Sequence, residues 1–194
     1  MKRDTRRTTP ITSSFLSCEK DTETILRKLF IESKPYSNVL KRLLVVQAKD
    51  CLDNEAYDAE VENISIAQLR KNGYIVLEPR VKMQEHEQVK AYIIISFDNF
   101  IPNATNPEFR DCTVSFDILC RPDYWDLGEF RMRPLKIVGY IDGLLNNCKL
   151  SGIGTFQFMG CDEIVINPEL SGYTLSYWAV HGSDDQIESP EDEE

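Results

Sequence analysis

The chain has 194 residues, with 22 Lys and Arg against 32 Asp and Glu, so its formal net charge is -10. This acidic balance argues against direct binding of nucleic acid, because proteins bind phosphates by releasing counterions with Lys and Arg. The longest apolar runs, at 43–46 and 91–97, are far shorter than the roughly 20 residues that cross a bilayer, and residues 1–10 do not resemble a secretory signal.

The two ends of the chain differ in charge from the part between them. Residues 1–20 are rich in Thr and Ser and carry four basic residues within the first seven positions, which predicts a flexible basic arm. Residues 183–194 contain seven acids and no base, which is typical of a disordered acidic tail. The part between them, residues 21–182, is long enough for a single domain with its own core.

The first half of this domain predicts short helices. Asp21 is a suitable N-cap, and the apolar stripe that follows it predicts a helix over 21–33. Residues 37–48 carry a second apolar stripe, but a β-branched pair near its end leaves helix and strand both open. The acidic, weakly patterned residues 49–63 predict a long surface loop. Residues 64–73 predict a short helix that ends at a left-handed glycine.

The second half predicts a sheet covered by one helix. Apolar runs predict strands at 73–81, 89–97, 110–120, 152–160, 163–167 and 173–181. The strand at 110–120 alternates strictly, which buries Phe116 and turns Asp117 toward the other face. Pro134 begins a helix over 134–147 whose apolar stripe should cover the buried face. We therefore expect an α+β fold with a mainly antiparallel sheet and helices packed on one face.

Two connections between these elements contain aromatic residues. Residues 98–110 are too long and too rich in Pro and Asn for a tight turn, so they predict a long hairpin loop that projects from the sheet. The second connection follows Cys120 and includes Phe130. Aromatic residues are enriched where proteins meet, whereas packing over the core fits the pattern equally well. The candidate interface residues are Phe100, Ile101, Pro102, Asn103, Phe109, Tyr124 and Trp125.

The residue inventory offers little for catalysis or metal binding. The six cysteines include no C-x-x-C pair, so we expect free thiols rather than a zinc site or disulfides. His86 and His181 are interpreted as surface residues, although any Ser-His-Asp or Cys-His arrangement would have to use one of them. Gly152 and Gly154 lack the Lys-Ser/Thr of a phosphate loop and predict a turn. We expect no catalytic, cofactor or metal residues and no enzymatic activity.

Four segments of the second half follow one another in a familiar order. They are the strand AYIIISF, the alternating strand CTVSFDILC, the helix LKIVGYIDGLLNN that follows an aromatic loop, and the terminal hairpin EIVINPELSGYTLSYWAVHG. This order resembles the tail-terminator and tail-completion proteins of tailed bacteriophages, and among them a neck ring protein of the crAss-like group. The resemblance covers about residues 73–182, so the first 70 residues lie outside it.

The resemblance implies a structural virion protein of the head-to-tail connector, assembled in the host bacterial cytoplasm. It implies a homo-oligomeric ring, sixfold or twelvefold, that joins portal-side and tail-side virion proteins around the DNA channel. The genome would pass through without sequence-specific binding, no membrane would be involved, and an acidic wall would repel its phosphates. Two alternatives stay open. One is a small intracellular adaptor that binds a protein partner without forming a ring, and the other is an enzyme whose site the sequence does not reveal.

Overall fold

The computed structural model describes residue 15 and residues 18–77, 89–105 and 109–181. The predicted acidic tail and His86 lie outside the described residues, and so does the predicted basic arm except for Phe15 and residues 18–20. None of the helices in the described ranges is both long and apolar enough to span a membrane.

Helices dominate the first half and strands the second. The helices are α1 (Cys18–Arg27), which a π-helical turn (Lys28–Glu32) continues, α2 (Tyr36–Val45), α3 (Ala56–Val61), α4 (Ile66–Lys71) and α5 (Arg133–Leu145). The strands are β1 (Ile75–Val76), β2 (Ala91–Pro102), β3 (Arg110–Cys120), β4 (Lys149–Leu150), β5 (Gly154–Thr155), β6 (Gln157–Asn167) and β7 (Leu170–His181).

Five strands form one open sheet in the order β1-β2-β3-β7-β6. Strand β1 runs parallel to β2, and every other neighbouring pair in this sheet is antiparallel. Strands β4 and β5 pair separately as a small hairpin. The predicted α+β fold with a mainly antiparallel sheet is confirmed.

The helices cover one face of the sheet, and this face contains the main core. In β3, Phe116 is fully buried in the main core, whereas Asp117 points to the opposite face and accepts a 2.6 Å hydrogen bond from the Thr174 hydroxyl. Helices α2 and α5 contact each other and the sheet. The alternation read in residues 110–120 therefore gives the correct strand and the correct buried face.

On the opposite face of the sheet, the buried apolar residues of the described chain form a cluster at one end. This smaller cluster consists of Val89, Tyr92, Ile94, Leu119 and Leu170. Farther along the same face, the hydroxyls of two serines on adjacent strands lie 3.2 Å apart and form a hydrogen bond. This face is consequently not covered by a second layer of helices in the described part of the chain.

Strands β3 and β7 approach each other so closely that residue 172 must be glycine. A methyl group at Gly172 would lie 1.7 Å from the carbonyl oxygen of Ile118, well inside van der Waals contact. The last strand, predicted over 173–181, begins earlier, at Leu170. The turn before it is formed by Pro168 and Glu169, and Gly172 already lies inside β7 opposite Leu119.

Three predictions for the first half need correction or completion. The first helix begins at Cys18, so Asp21 is not its N-cap but a buried residue inside α1. Residues 37–48 are resolved in favour of helix, because α2 runs to Val45 before the chain becomes extended. The predicted surface loop at 49–63 is wrong in part, since it contains the short helix α3.

The short helix predicted at residues 64–73 is confirmed. At the start of α4, the Ser65 hydroxyl accepts a hydrogen bond from the Gln68 backbone amide, and the Gln68 side chain accepts one from the Ser65 backbone amide. These two bonds form a capping box. Gly73 follows the helix with a φ of 81°, the left-handed conformation that ends many helices.

Three predictions for the second half also change. Strand β2 continues through Pro102 with a bulge after Asp98, so the part of the predicted hairpin loop before residue 103 is wrong. The two strands predicted at 152–160 and 163–167 are mainly one long strand, β6. In the segment predicted as a strand at 73–81, β1 has only two residues, and residues 78–81 lie outside the described part.

Candidate interaction surface

The predicted interface residues fall into two groups at opposite ends of β3. Residues 100–103 and Phe109 lie next to its first residue, whereas Tyr124 and Trp125 follow its last. Ten residue steps of about 3.3 Å separate these ends by roughly 33 Å. The structure therefore does not bring the two groups together into one patch.

The first group contains one packed residue and two exposed ones. Phe100 is half-buried against the main core, and its ring lies 4.9 Å from that of Phe15 and 5.6 Å from that of His181. Ile101 keeps 57% of its surface exposed, and Pro102 is also exposed. Ile101 and Pro102 are thus the part of this group that is available to a partner.

Asn103 closes the hairpin between β2 and β3. Its side-chain amide donates to Asp111 at 2.6 Å, its side-chain oxygen accepts from the Thr105 amide at 2.9 Å, and its backbone amide donates to the Phe109 carbonyl at 3.1 Å. These bonds hold the hairpin closed, and this structural role is sufficient to explain why an asparagine stands at position 103.

The second group packs mostly against the protein itself. The indole nitrogen of Trp125 donates to the Cys120 carbonyl at 3.2 Å, and its ring lies 6.2 Å from that of Tyr173. The ammonium group of Lys90 lies over the Tyr124 ring, 4.5 Å from its centre. Both aromatic residues are half-buried, so in this loop the packing interpretation applies to most of their surface.

A buried arginine holds this aromatic loop against the end of α2. The Arg133 guanidinium donates to the carbonyls of Tyr124 at 2.9 Å, Leu43 at 2.7 Å, Val46 at 2.9 Å and Ala48 at 3.0 Å. Its side chain is only 2% exposed. Carbonyls at a helix C-terminus lack partners within the helix, and Arg133 supplies their donors. No pattern in the sequence predicts this role of Arg133.

The same connection ends in a fully exposed phenylalanine. Gly128, Glu129 and Phe130 have φ values of 77°, 48° and 65°, so two non-glycine residues adopt a conformation that side chains disfavour. The Phe130 side chain has no cover in the described structure. A sequence scan can identify this aromatic residue, but it cannot show that the backbone turns its ring outward.

Two ion pairs anchor the loop that carries Phe130. Arg131 makes a two-pronged contact with the Asp53 carboxylate, both bonds being 2.7 Å, and this contact lowers the pKa of Asp53. The Lys49 ammonium lies 2.5 Å from the Asp126 carboxylate. These two ion pairs therefore hold the loop that carries the exposed Phe130 ring against the rest of the domain.

Strand β6 is an exposed edge of the main sheet. It pairs on one side with β7 and has no strand on its other side in the described structure. Four of its large apolar residues are at least half exposed, and these are Phe158 at 50%, Met159 at 56%, Val165 at 64% and Ile166 at 51%. The sequence predicts strands here, but their position at the edge depends on the strand order.

The opposite edge of the sheet is open as well. Strand β1 pairs only with Ile93 and Ile94 of β2. Within the described residues, the outer side of β2 from Ile95 to Pro102 has no strand partner. The sheet therefore has one long apolar edge at β6 and a second open stretch at β2.

Residues 37–178 match the family model named YomW, which covers most of the domain. The chain belongs to the YomW family. This family derives from phage genes of the Bacillus phage SPbeta type, which indicates a phage protein but not a tail terminator in particular.

The other comparisons add little. No curated protein matches the chain. One crystal structure of a protein from Akkermansia muciniphila is similar to 89% of this chain and 98% of its own chain, at 12% identity and a TM-score of 0.31.

One residue that the sequence predicts to lie on the surface is instead central to a buried cluster. The prediction that His181 is a surface residue is wrong, because it is fully buried and its Nδ1 atom pairs with the Asp21 carboxylate. The Cys18 sulfur lies 3.7 Å from its Nε2 atom. Among the described residues, no group of three His, Cys, Asp or Glu side chains has the arrangement of a metal site.

Proposed function

We propose that this chain is a structural virion protein that forms a ring in the head-to-tail connector of a tailed phage. The ring would join portal-side and tail-side proteins in the neck and surround the DNA channel. Membership of a phage-derived family supports the setting. The observation that carries the proposal is the long apolar edge strand β6, which a monomer leaves exposed.

An exposed edge strand favours pairing with another chain. Its outer backbone groups have no partner in the sheet, and monomeric proteins usually protect such edges with charges, bulges or very short strands. Strand β6 has a bulge beside Met159 and charges at Asp162 and Glu163, yet it runs for 11 residues. At its two ends it exposes Phe158 and Val165. The two ends of β6 therefore lack the protection against pairing that the edge strands of monomeric proteins usually have.

The partner that we propose for β6 is the open stretch of β2 in a second copy. This contact joins two different edges, so each copy leaves one edge of each kind free for the next copy. Repetition of such a head-to-tail contact closes into a ring when the rotation between copies permits it. Pairing of β6 with itself would produce only a twofold dimer. Ile101, on the β2 side, would then be covered by the neighbouring β6.

The two ends of the sheet supply separate surfaces for the adjacent layers. Pro102 lies at one end, and Phe130 is carried by the loop connected to the other. With the edges β6 and β2 used within the ring, these two ends would face portal-side and tail-side proteins. The net charge of -10 suits a wall past which DNA moves without being bound.

A matched pair of surface variants tests this proposal. Val165→Lys places a cation on the β6 edge, and Ile31→Lys places one on the π-helical turn, where the native side chain is 46% exposed. Both should keep the melting temperature, because neither side chain is buried. We expect Val165→Lys to prevent incorporation into phage particles and Ile31→Lys to leave incorporation unchanged.

Normal incorporation of Val165→Lys would overturn the role of β6. Loss of binding to one partner protein without any ring in wild-type particles would favour the adaptor interpretation. Native mass spectrometry of neck complexes distinguishes these results, because a ring contains several copies of the chain and an adaptor need not.

A further inference from the structure

Helix α1 and the last residue of β7 bring three reactive side chains together. The Nδ1 atom of His181 pairs with the Oδ2 atom of Asp21, and both side chains are almost completely buried. On the other side of the ring, Nε2 faces the Cys18 sulfur at 3.7 Å. The imidazole therefore bridges a thiol and a carboxylate that belong to one helix.

We propose that Cys18, His181 and Asp21 form a nucleophilic acyl-transfer site that acts on ester or amide carbonyls. A carboxylate at Nδ1 holds the ring proton there and leaves the Nε2 lone pair directed at the thiol. His181 is thus the base for Cys18, and Asp21 is a positioning residue. This site is independent of the edge strands and of the proposed ring.

The thiol needs such a base because it is protonated at rest. Burial, and next the negative charge of Asp21, raise the pKa of Cys18 above its ordinary value. Cys18 is also the first residue of α1, where backbone N–H groups lack acceptors within the helix. These N–H groups favour negative charge on the sulfur and on a carbonyl oxygen beside it.

The surroundings of Asp21 and His181 fix their positions. A side chain at Gly152 would place its first carbon 2.5 Å from the Asp21 Oδ1 atom, and the φ of this glycine is 84°. Only glycine therefore fits this turn beside the carboxylate. The rings of Phe15 and Phe100 lie 6.4 Å and 5.6 Å from the His181 ring and pack against it.

A groove of about 560 Å³ gives a substrate access to Cys18. Its wall is formed by Cys18, Glu19, Thr22, Glu23, Leu26, Ile66, Arg70 and Leu77. Glu19 and Glu23 come from the same helix as the nucleophile, one turn apart. The groove carries the guanidinium of Arg70 as well as these two carboxylates, so it suits a polar substrate of either charge, and its apolar residues can hold a carbon chain.

The reaction uses no group beyond these residues and water. His181 Nε2 takes the proton of the Cys18 thiol as the sulfur bonds to the carbonyl carbon. The tetrahedral intermediate then expels the alcohol or amine, which receives that proton from Nε2, and a thioester remains on Cys18. Water attacks the thioester while Nε2 accepts its proton, the acid leaves, and the thiol regains its hydrogen.

The full-length wild-type protein provides the first test. We expect p-nitrophenyl acetate to acetylate Cys18 and release nitrophenol, with the adduct located by mass spectrometry of peptides. We also expect iodoacetamide to alkylate Cys18 faster than Cys148, which is half-buried as well. The Cys18 rate should reach a plateau as the pH rises, because His181 removes the thiol proton without hydroxide. Equal labelling of both cysteines, with a rate simply proportional to hydroxide, would overturn the proposal.

Variants separate the base from simple exposure of the thiol. Cys18→Ser should remove the acetyl adduct, whereas Cys148→Ser should leave it unchanged. His181→Gln should lower the acetylation rate at least about tenfold, as expected for the loss of a general base. Gly152→Ala, which displaces Asp21, should shift the pH profile of acetylation while Cys18 stays accessible. If His181→Gln fails to fold, the wild-type pH profile still decides, and an unshifted profile in Gly152→Ala would refute the role of Asp21.

Discussion

Asp21 and His181 form a buried hydrogen-bonded pair that ties the first helix to the last residue of the last strand, across 160 residues of chain. This contact joins the two ends of the described domain. Removal of one partner takes away a hydrogen bond from a buried polar group, which costs about 1–3 kcal/mol. The pair therefore connects the stability of the domain to the geometry around Cys18.

The register of β3 predicts opposite outcomes for two adjacent residues. Phe116→Asp should prevent folding, because it buries an unpaired charge in the main core at a cost of several kcal/mol. Asp117→Ser should lose only the hydrogen bond from Thr174, about 1 kcal/mol. Circular dichroism during urea titration measures both, and equal damage from the two changes would show that the register is wrong.

Alanine substitutions at two glycines should change the stability of the fold in opposite directions. Gly172 lies where β3 and β7 approach closely, whereas Gly139 has open space around it. Gly172→Ala forces its methyl group into the Ile118 carbonyl and should destabilise the fold by about 3 kcal/mol. Gly139→Ala, in α5, meets nothing within 4 Å and should stabilise the fold by about 0.5–1 kcal/mol. Thermal unfolding of the two variants gives the comparison. A stable Gly172→Ala protein would contradict the described strand pairing.

The carbonyl contacts of Arg133 predict a large effect from a residue outside every sequence motif. Arg133→Met removes the donors to four carbonyls and should lower the free energy of unfolding by about 3 kcal/mol or more. Lys136→Met, at an exposed site on the same helix, should stay within about 0.5 kcal/mol of wild type. Chemical denaturation measures both, and similar midpoints would mean that Arg133 does not hold the loop to α2.

Two core thiols predict a loss of stability at alkaline pH. Burial raises the pKa of Cys112 and that of Cys120 to about 12 each, whereas a thiol in the unfolded chain titrates near 9. Between these values the unfolded state releases protons that the folded state retains, so stability falls as the pH rises. The urea midpoint should drop between pH 9 and 12, and Cys120→Ala should reduce the steepness of that drop. A midpoint independent of pH in this window would contradict the burial of these thiols.

Local patterns explain why part of the fold could be predicted. The alternation around Phe116 identifies β3, and Gly73 identifies the end of α4, because each signal lies within a few residues. The burial of His181 depends on Asp21 at the other end of the domain. No local pattern around His181 contains that information.

The candidate sites show the same division between local and long-range information. Composition identified Ile101 and Phe130 as apolar or aromatic residues in predicted loops, and both are exposed, although Ile101 lies in β2. It could not identify β6 as an edge, because that depends on which strands pair with β7. It could not identify the acceptors of Arg133 either, since three of these carbonyls come from the end of α2 and the residues just after it, 85 to 90 residues earlier in the chain.

Cryo-electron microscopy of the neck of assembled particles tests the central claim most directly. The account predicts a closed ring of this chain in which β6 of each copy continues the sheet of the next copy through β2. Phe130 should contact an adjacent layer. A neck that lacks this chain, or a ring whose copies meet through surfaces other than β6, would contradict the account.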